Sequence, residues 1–245
     1  MPLLSVSHGG AVATAQAVES ANIVGYMNVP VEMGYSAFTP VFKDVASEDI
    51  DLQSIVPCAA DGSALGTSKS KIYLYCLSDS GEYGTTYQYN SSKGGWCVGS
   101  TLVEPGTVGI KNGQGFAVYN NQGSAISFRV SGSVDFVCRN LIATGYSMTG
   151  NYTPVSIDIQ DIKPYAADGS DLGTSKGKIY IYGIDSTGEY TSTYQYNSSK
   201  GGWCVGSSLV DEGTVIFAPG SAFAVYNNQG AVISFQLPSP ISVKE

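Results

Sequence analysis

Residues 59–128 read AADGSALGTSKSKIYLYCLSDSGEYGTTYQYNSSKGGWCVGSTLVEPGTVGIKNGQGFAVYNNQGSAISF, and residues 166–235 repeat this sequence with modest changes. The two stretches align without a gap, and 49 of the 70 aligned positions are identical. Solenoid repeats run to about 20–45 residues, so a repeat of this length corresponds to a whole domain. The sequence therefore predicts two tandem copies of one fold.

Alternation of polar and apolar residues runs through each copy and predicts β-strands. In the first copy it is clearest at residues 71–75 and 85–89, and turn residues follow both stretches. We expect these two strands to form a meander with the strand that carries Trp96. A hairpin is expected at residues 116–128, with its turn at Asn120-Asn121-Gln122-Gly123.

The same alternation assigns side chains to the two faces of the sheet. The face expected to point inward carries Ile72, Leu74 and Cys76. The opposite face is expected to carry Tyr73 and Tyr75, in cross-strand pairs with Tyr87 and Tyr89. Sequence differences between the two copies are larger before the repeat, where residues 49–52 and 157–162 occupy matching places and can each form a single helical turn.

Many short strands separated by turns predict an all-β protein made of two tandem homologous β-sandwich domains, jelly-roll or Ig-like. We expect residues 1–20 to be an extended N-terminal arm or a residual signal segment. The first domain is expected at residues 21–134 and the second at 135–245. No Gly/Ser-rich linker separates them, so limited freedom between the domains is expected.

Composition excludes several classes of function. Only 13% of the residues are charged and the net charge is −8, so the chain has no basic patch for nucleic acid. No run of about 18 apolar residues is present, and no membrane span is expected. Residues 1–20 are small and uncharged up to Glu19, with an A-x-A signal cleavage pattern at Ala15-Gln16-Ala17.

The five cysteines do not show the spacing of a zinc site. They are Cys58, Cys76, Cys97, Cys138 and Cys204, and only Cys97 and Cys204 are equivalent in the two copies. Three alternatives stay open, namely two disulfides with one thiol left over, a bridge to another subunit, or buried thiols that pack as small hydrophobic side chains.

Candidates for catalysis are few. The single histidine, His8, lies in the N-terminal segment, which removes a Ser-His-Asp or Cys-His arrangement from the folded copies. An acid/base pair would need Asp61 with Glu82, or their equivalents Asp168 and Glu189, and both carboxylates of each pair lie in turn motifs.

Metal and cofactor motifs are weaker still. Calcium could be bound by Asp61 with Ser63, or by the acidic residues Glu48, Asp49 and Asp51, but neither set has the spacing of a calcium loop. We predict no catalytic residue, no metal and no cofactor.

The aromatic residues leave three alternatives open. These residues can form core, an interface between domains or subunits, or a platform on which sugars stack. They are Tyr73, Tyr75, Tyr87, Tyr89, Trp96 and their second-copy partners, among them Trp203. The platform requires Trp96 and Trp203 to be exposed on a flat or grooved face.

Several segments resemble exported β-sandwich domains that recur in large surface proteins of environmental bacteria. They are residues 20–26 (SANIVGY), 115–120 (GFAVYN) and 127–132 (SFRVSG), together with a Gly-Tyr-Ser strand, an Asp-Gly turn and a hairpin that contains tryptophan. The resemblance covers most of both copies. It implies export and a structural or adhesive role, and it supplies no agreed activity to transfer.

The sequence favours a non-enzymatic extracellular structural subunit that self-assembles into a filament or surface layer. The tandem copies offer equivalent surfaces that can repeat head to tail. Residues 3–15 are extended in character and could add as a strand to a neighbouring subunit. The alternative is a carbohydrate-binding or adhesive surface module. The expected partners are therefore copies of the chain itself or glycans.

Overall fold

The computed structural model describes residues 24–44, 49–68, 71–78, 80–134, 138–175 and 177–239. These residues form β-strands and two single-turn 3-10 helices, and all pairing between the described strands is antiparallel. The prediction of an all-β protein is confirmed. The predicted arm at residues 1–20, with His8, lies outside the described residues.

We call residues 24–134 the first half of the chain. Its described strands are β1 (Val24–Val31), β2 (Gly34–Phe38), β3 (Ile50–Asp51), β4 (Val56–Ala59), β5 (Ile72–Leu77), β6 (Tyr83–Asn90), β7 (Gly95–Val98), β8 (Thr101–Leu102), β9 (Gly109–Ile110), β10 (Phe116–Asn120) and β11 (Ile126–Ser133). They form a six-stranded sheet in the order β2-β10-β5-β6-β7-β8, a three-stranded sheet in the order β1-β11-β4, and the pair β3-β9.

We call residues 138–239 the second half. Its described strands are β12 (Arg139–Ile142), β13 (Gly145–Gly150), β14 (Ile157–Asp158), β15 (Lys163–Ala166), β16 (Ile179–Ile184), β17 (Tyr190–Asn197), β18 (Gly202–Val205), β19 (Ser208–Leu209), β20 (Ile216–Phe217), β21 (Ala222–Asn227) and β22 (Ile233–Gln236). The sheet orders are β13-β21-β16-β17-β18-β19, β12-β22-β15 and β14-β20, which match the first half strand for strand.

Each half buries its own hydrophobic core between its two larger sheets. In the first half, the ring of Phe128 on β11 meets Phe38 on β2 at 4.7 Å and Trp96 on β7 at 5.9 Å between ring centroids. These three side chains come from opposite sheets and are almost fully buried. Antiparallel sheets packed face to face in this way are consistent with a β-sandwich.

Each half has one single-turn 3-10 helix, at Leu52–Ser54 and Ile159–Asp161. The first begins at the last residue of the predicted range 49–52, and short strands, β3 and β14, precede both helices. Each helix holds a glutamine, Gln53 or Gln160, whose side chain reaches the strand that carries tryptophan. The Gln53 amide donates to the carbonyl of Trp96 (2.9 Å) and that of Val103 (2.6 Å), and its oxygen accepts from the Trp96 N–H (2.9 Å). The helical turn is thereby fixed to the edge of the larger sheet.

The predicted meander is confirmed, because β5, β6 and β7 are successive neighbours in the sheet. The predicted hairpin at residues 116–128 is wrong. β10 lies in the six-stranded sheet and β11 in the three-stranded sheet, so residues 121–125 cross between the layers.

The side chain of Asn120 explains the crossing. Its buried amide donates to the carbonyls of Val31, Glu32 and Ser124 at 3.4, 3.2 and 2.9 Å. A buried amide requires such acceptors, and the corner between the two sheets supplies them. Asn227 makes the equivalent bonds in the second half, to the carbonyls of Ile142, Ala143 and Ala231.

Candidate functional site

The two tryptophans are core residues. Trp96 and Trp203 are both 0% exposed, and each indole N–H donates to a backbone carbonyl at 2.7 Å, that of Ile55 or Ile162. A sugar cannot stack on a ring with no exposed face, so the predicted role of these tryptophans in a glycan platform is wrong. Their packing in the core, one of the three alternatives, is correct.

The prediction that Tyr87 and Tyr89 share a face with Tyr73 and Tyr75 is also wrong. In the register between β5 and β6, Leu74 lies opposite Tyr87, and Tyr73 lies opposite Gln88. Because side chains alternate along a strand, a register that differs by one residue moves a whole set to the other face. Tyr87 and Tyr89 therefore pack against the core, where Tyr89 meets Trp96 at 5.4 Å.

The outer face of each six-stranded sheet carries a cluster of five tyrosines. We call these the tyrosine clusters, and they consist of Tyr35, Tyr73, Tyr75, Tyr83 and Tyr119 in the first half and of Tyr146, Tyr180, Tyr182, Tyr190 and Tyr226 in the second. The closest ring centroids within the clusters are 4.7 and 4.6 Å apart. Burial, together with neighbouring phenols, raises the pKa of Tyr75, Tyr182 and Tyr190 to about 12.

Each tyrosine cluster also contacts the other half of the chain, and the contacts are reciprocal. The hydroxyl of Tyr83 donates to the carbonyl of Gly188 (2.9 Å), and that of Tyr190 donates to the carbonyl of Gly81 (3.0 Å). Tyr83 and Tyr190 are equivalent in the two copies, as are Gly81 and Gly188. Equivalent residues that exchange equivalent bonds indicate a pseudo-two-fold axis between the halves.

Main-chain bonds at the sheet edges extend the contact. The Tyr35 and Thr39 N–H groups, in and just after edge strand β2, donate to the carbonyls of Ser186 and Gly220 at 3.0 and 2.9 Å. From the other side, the Gly115 N–H donates to the carbonyl of Met148 on edge strand β13 at 3.0 Å. Each half therefore covers an edge strand of the other, and edge strands are the part of a sheet that most readily pairs with another chain.

A segment in which the copies differ, residues 111–115 in the first half and 218–222 in the second, takes part in this contact. Gln114 pairs with Thr149 on β13, and the equivalent Ser221 pairs with Phe38 on β2. The hydroxyl of Thr149 donates to the carbonyl of Gly113 at 2.8 Å. These sequence differences occur where two similar halves meet.

The carboxylates that we considered as acid/base pairs lie in separate turns. Asp61 accepts the Ser63 N–H at 2.9 Å in a turn beside Arg129 of β11, whereas Glu82 lies in the β5–β6 turn at the contact with the second half. Hydrogen bonds from Ser63 lower the pKa of Asp61, and those from Ser170 lower the pKa of Asp168. Both aspartates therefore act as turn residues.

The acidic residues that we considered as calcium ligands have other roles where the structure describes them. Asp51 accepts the Gln53 N–H and caps a 3-10 helix, and Glu48 lies outside the described residues. No group of three or more His, Cys, Asp or Glu side chains that could hold a metal occurs among the residues the structure describes.

All five cysteines are described, and no disulfide joins them. Cys58, Cys97, Cys138 and Cys204 are buried and Cys76 is half-buried. Burial raises the pKa of the Cys58 and Cys76 thiols. Within the chain, the cysteines therefore pack as thiols and form no disulfide with one another.

Sequence reasoning missed a groove of about 320 Å³ beside β15 in the second half. It is lined by Lys163, Tyr165, Asp171, Leu172, Tyr196 and Ser198, together with the buried Pro164. The sequence contains a signal for this groove. Lys163, Tyr165 and Asp171 stand where the first copy has Val56, Cys58 and Ala64. The signal becomes visible only when the fold places the three positions around one cavity.

None of the helices in the described residues is long and apolar enough to cross a membrane. No known protein family, curated protein or solved structure matches the chain. The resemblance to exported bacterial surface domains therefore stays a prediction.

Proposed function

We propose that this protein is a non-enzymatic extracellular structural subunit, built of two tandem β-sandwich domains, that assembles with copies of itself into a filament or surface layer. The observation that carries the proposal is the reciprocal contact between the halves. It supports self-assembly because one half of the chain recognises a second copy of nearly the same fold through main-chain bonds at its edge strand.

The two-fold character of this contact changes how assembly between chains would work. In a two-fold contact the same surface is used on both partners, so the contact closes on itself. The surfaces that we expected to repeat head to tail are thus occupied within the chain. Contacts between chains must therefore use other sheet edges. Because the two halves of a chain are related by the pseudo-two-fold axis, each such edge is present twice, once on each half. One further self-complementary surface on each half is then enough for an open-ended polymer.

The edge strand β1 is the best candidate for a contact between chains. It spans eight residues and pairs on one side only, with β11. Tyr26 on this strand and Met33 just after it are 74% and 57% exposed. The edge strand β4 on the other side of the same sheet is less suitable, because Pro57 has no N–H and Cys58 already pairs with Ala64.

The predicted N-terminal arm supplies a suitable partner for such an edge. Residues 3–15 contain Leu, Val and Ala with small polar residues and carry no charged side chain at neutral pH. A strand donated by one chain to an edge of the next would gain main-chain hydrogen bonds and side-chain burial. The low fraction of charged residues also agrees with a protein whose surfaces pack against one another.

Comparison of the intact chain with a chain that lacks residues 1–20 tests the proposal. We expect polymers of the intact chain in negative-stain images and in light scattering after size exclusion, and monomers of the truncated chain. Deletion of residues 240–245 is the matched control and should leave the polymers unchanged. Polymers that persist without residues 1–20 would exclude the arm, and an intact chain that stays monomeric at every concentration would exclude self-assembly.

A further inference from the structure

The groove beside β15 is formed by groups from three parts of the second half. β15 supplies Lys163 and Tyr165, the chain after β15 supplies Asp171, and β17 with its following turn supplies Tyr196 and Ser198. A second cavity of about 160 Å³ shares Lys163 and Tyr165 and continues along Asp161 and Gln236. The two cavities therefore adjoin across the exposed side of β15.

Polar groups that can bind a ligand converge in this groove. Tyr165, Asp171 and Tyr196 all line the groove, and the main chains of Tyr165 and Asp171 form an antiparallel β-bridge. The bridge and the shared lining bring these groups together around one cavity. Burial, with smaller contributions from Tyr165 and Asp171, raises the pKa of Tyr196. The Ser198 hydroxyl accepts the Ser175 N–H at 3.2 Å and keeps its own hydrogen available for donation.

The first half provides an internal comparison. Its equivalent positions keep Pro57, Leu65, Tyr89 and Ser91, but the three remaining side chains are Val56, Cys58 and Ala64. The second half thus has Lys163, Tyr165 and Asp171 in place of three groups that bind polar ligands poorly. All three changes add hydrogen-bonding capacity around the same cavity, and the shared fold tolerates both sets of residues.

The lining selects one class of ligand. The tyrosine rings, Leu172 and Pro164 offer apolar surface, and a carboxylate and hydroxyls offer acceptors and donors. Lys163 and Asp171 carry opposite charges, so the groove has no net preference for an ion. A cavity of about 300 Å³ is at the lower end of the range for small-molecule sites.

We propose that the groove is a binding site for a neutral sugar in pyranose form, with one ring held in the larger cavity and a linked unit directed toward the smaller one. The C–H face of the sugar would pack on the tyrosine rings, and its hydroxyls would bond to Asp171, Tyr165 and Ser198. This site is separate from the contact between the halves and does not depend on self-assembly.

Titration of the intact protein with glucose, galactose, N-acetylglucosamine and cellobiose, followed by amide chemical shifts in NMR spectra, tests the proposal. If polymers of the intact chain are too large for NMR, the chain that lacks residues 1–20 is titrated instead. We expect shifts at Tyr165, Asp171 and Ser198, and none at the equivalent residues Cys58, Ala64 and Ser91. Cellobiose should bind more tightly than glucose because it reaches both cavities.

Substitutions that restore first-copy residues should remove binding without loss of the fold. We expect Asp171→Ala and Tyr165→Cys each to raise the dissociation constant for the sugar at least tenfold, with an unchanged melting temperature. The matched pair Tyr196→Phe and Tyr89→Phe removes the same hydroxyl from equivalent places, and only the former should weaken binding. The proposal is overturned if no sugar shifts these residues, if both halves respond alike, or if Asp171→Ala binds as well as the intact groove.

Discussion

Two pairs of equivalent residues meet at the pseudo-two-fold axis, and each pair contains one glycine. A Cβ built on Gly115 would lie 3.1 Å from the Cβ of Ala222, its equivalent, and a Cβ on Gly150 would lie 2.8 Å from Cγ2 of its equivalent, Thr39. A strict two-fold axis would place two identical side chains in this space. Duplication within one chain permits different residues at the two positions, and the larger side chain then has room.

We expect Gly115→Ala to destabilise the contact, because the new methyl group would also lie 3.1 Å from the Cβ of Met148 and the Thr149 nitrogen. Overpacking of this kind costs about 1–3 kcal/mol. Urea unfolding measures the change. Gly66→Ala is the control, since nothing lies within 4 Å of a Cβ at that position.

The exchanged pair Gly115→Ala with Ala222→Gly supplies a further check on the same argument. It moves the single methyl group to the other side of the axis, so we expect it to recover a substantial part of the lost stability. Equal stability of Gly115→Ala and the unsubstituted chain would show that the halves do not pack as closely as described.

At the scale of elements, the 3-10 helix and the tryptophan strand are joined by one glutamine side chain in each half. The Gln160 amide donates to the carbonyls of Trp203 (3.0 Å) and Val210 (2.8 Å), and its oxygen accepts the Trp203 N–H (3.0 Å). A strand of four residues followed by one of two has few bonds of its own, so this side chain supplies much of the order at that edge.

Gln160→Leu keeps the approximate volume but removes all three bonds. It leaves the Trp203 N–H and the Val210 carbonyl without these partners, and each such group costs about 1–3 kcal/mol when it stays buried. We therefore expect a loss of roughly 2–4 kcal/mol in the free energy of unfolding, and a similar loss for Gln53→Leu. Gln236→Leu, at an exposed position on β22, should change the stability little, and an equally large loss there would contradict the argument.

The tyrosine clusters predict a dependence of stability on alkaline pH. Tyr75, Tyr182 and Tyr190 have pKa values of about 12 in the fold, against about 10 in an unfolded chain. Below pH of about 10 both states are protonated and the stability is unaffected. As the pH rises toward 12, the unfolded chain loses these protons first, so the free energy of unfolding falls.

Urea unfolding at increasing pH, with phenolate absorbance recorded in parallel, measures this effect. The double variant Tyr75→Phe/Tyr182→Phe should show a shallower fall in stability than the unsubstituted chain. Tyr26→Phe removes a phenol that is 74% exposed and should leave the slope unchanged. A slope that is the same in all three proteins would exclude the clusters as its cause.

The sequence was sufficient to predict strands, the meander and the inward face of β5, because alternation and turn residues are local signals. Ile72 and Leu74 are buried as predicted. It was not sufficient for Tyr87, whose face depends on the register with β5, or for residues 116–128, whose partners are distant in the chain. Trp96 was ambiguous because an aromatic residue can be core or surface, and only the packing of Phe128 against it decides.

At the scale of the whole molecule, the two halves form a unit in which each covers an edge of the other. The groove beside β15 shows that the halves are not interchangeable, since only the second has Tyr165 and Asp171. Duplication thus gave one copy freedom to change at surfaces away from the axis. It also coupled the copies at the axis, where a change in one half must be compatible with the other.

Hydrogen exchange of individual amides measures this coupling. The Tyr35, Thr39 and Gly115 N–H groups each donate across the contact, to Ser186, Gly220 and Met148, so we expect them to exchange as slowly as amides inside a sheet. The double variant Tyr83→Phe/Tyr190→Phe loses both reciprocal hydroxyl bonds, at about 0.5–1.5 kcal/mol each. Exchange at the three amides should then accelerate roughly fivefold or more.

The amide of Val118 is the internal control, because β10 lies between β2 and β5 within one sheet. Its exchange should stay slow in the double variant, since opening of the contact leaves that sheet intact. If Tyr35, Thr39 and Gly115 exchange as freely as exposed amides in the unsubstituted chain while Val118 is protected, the halves fold without docking. Equal acceleration at Val118 would mean instead that the halves unfold together, and that the contact is part of a single cooperative unit.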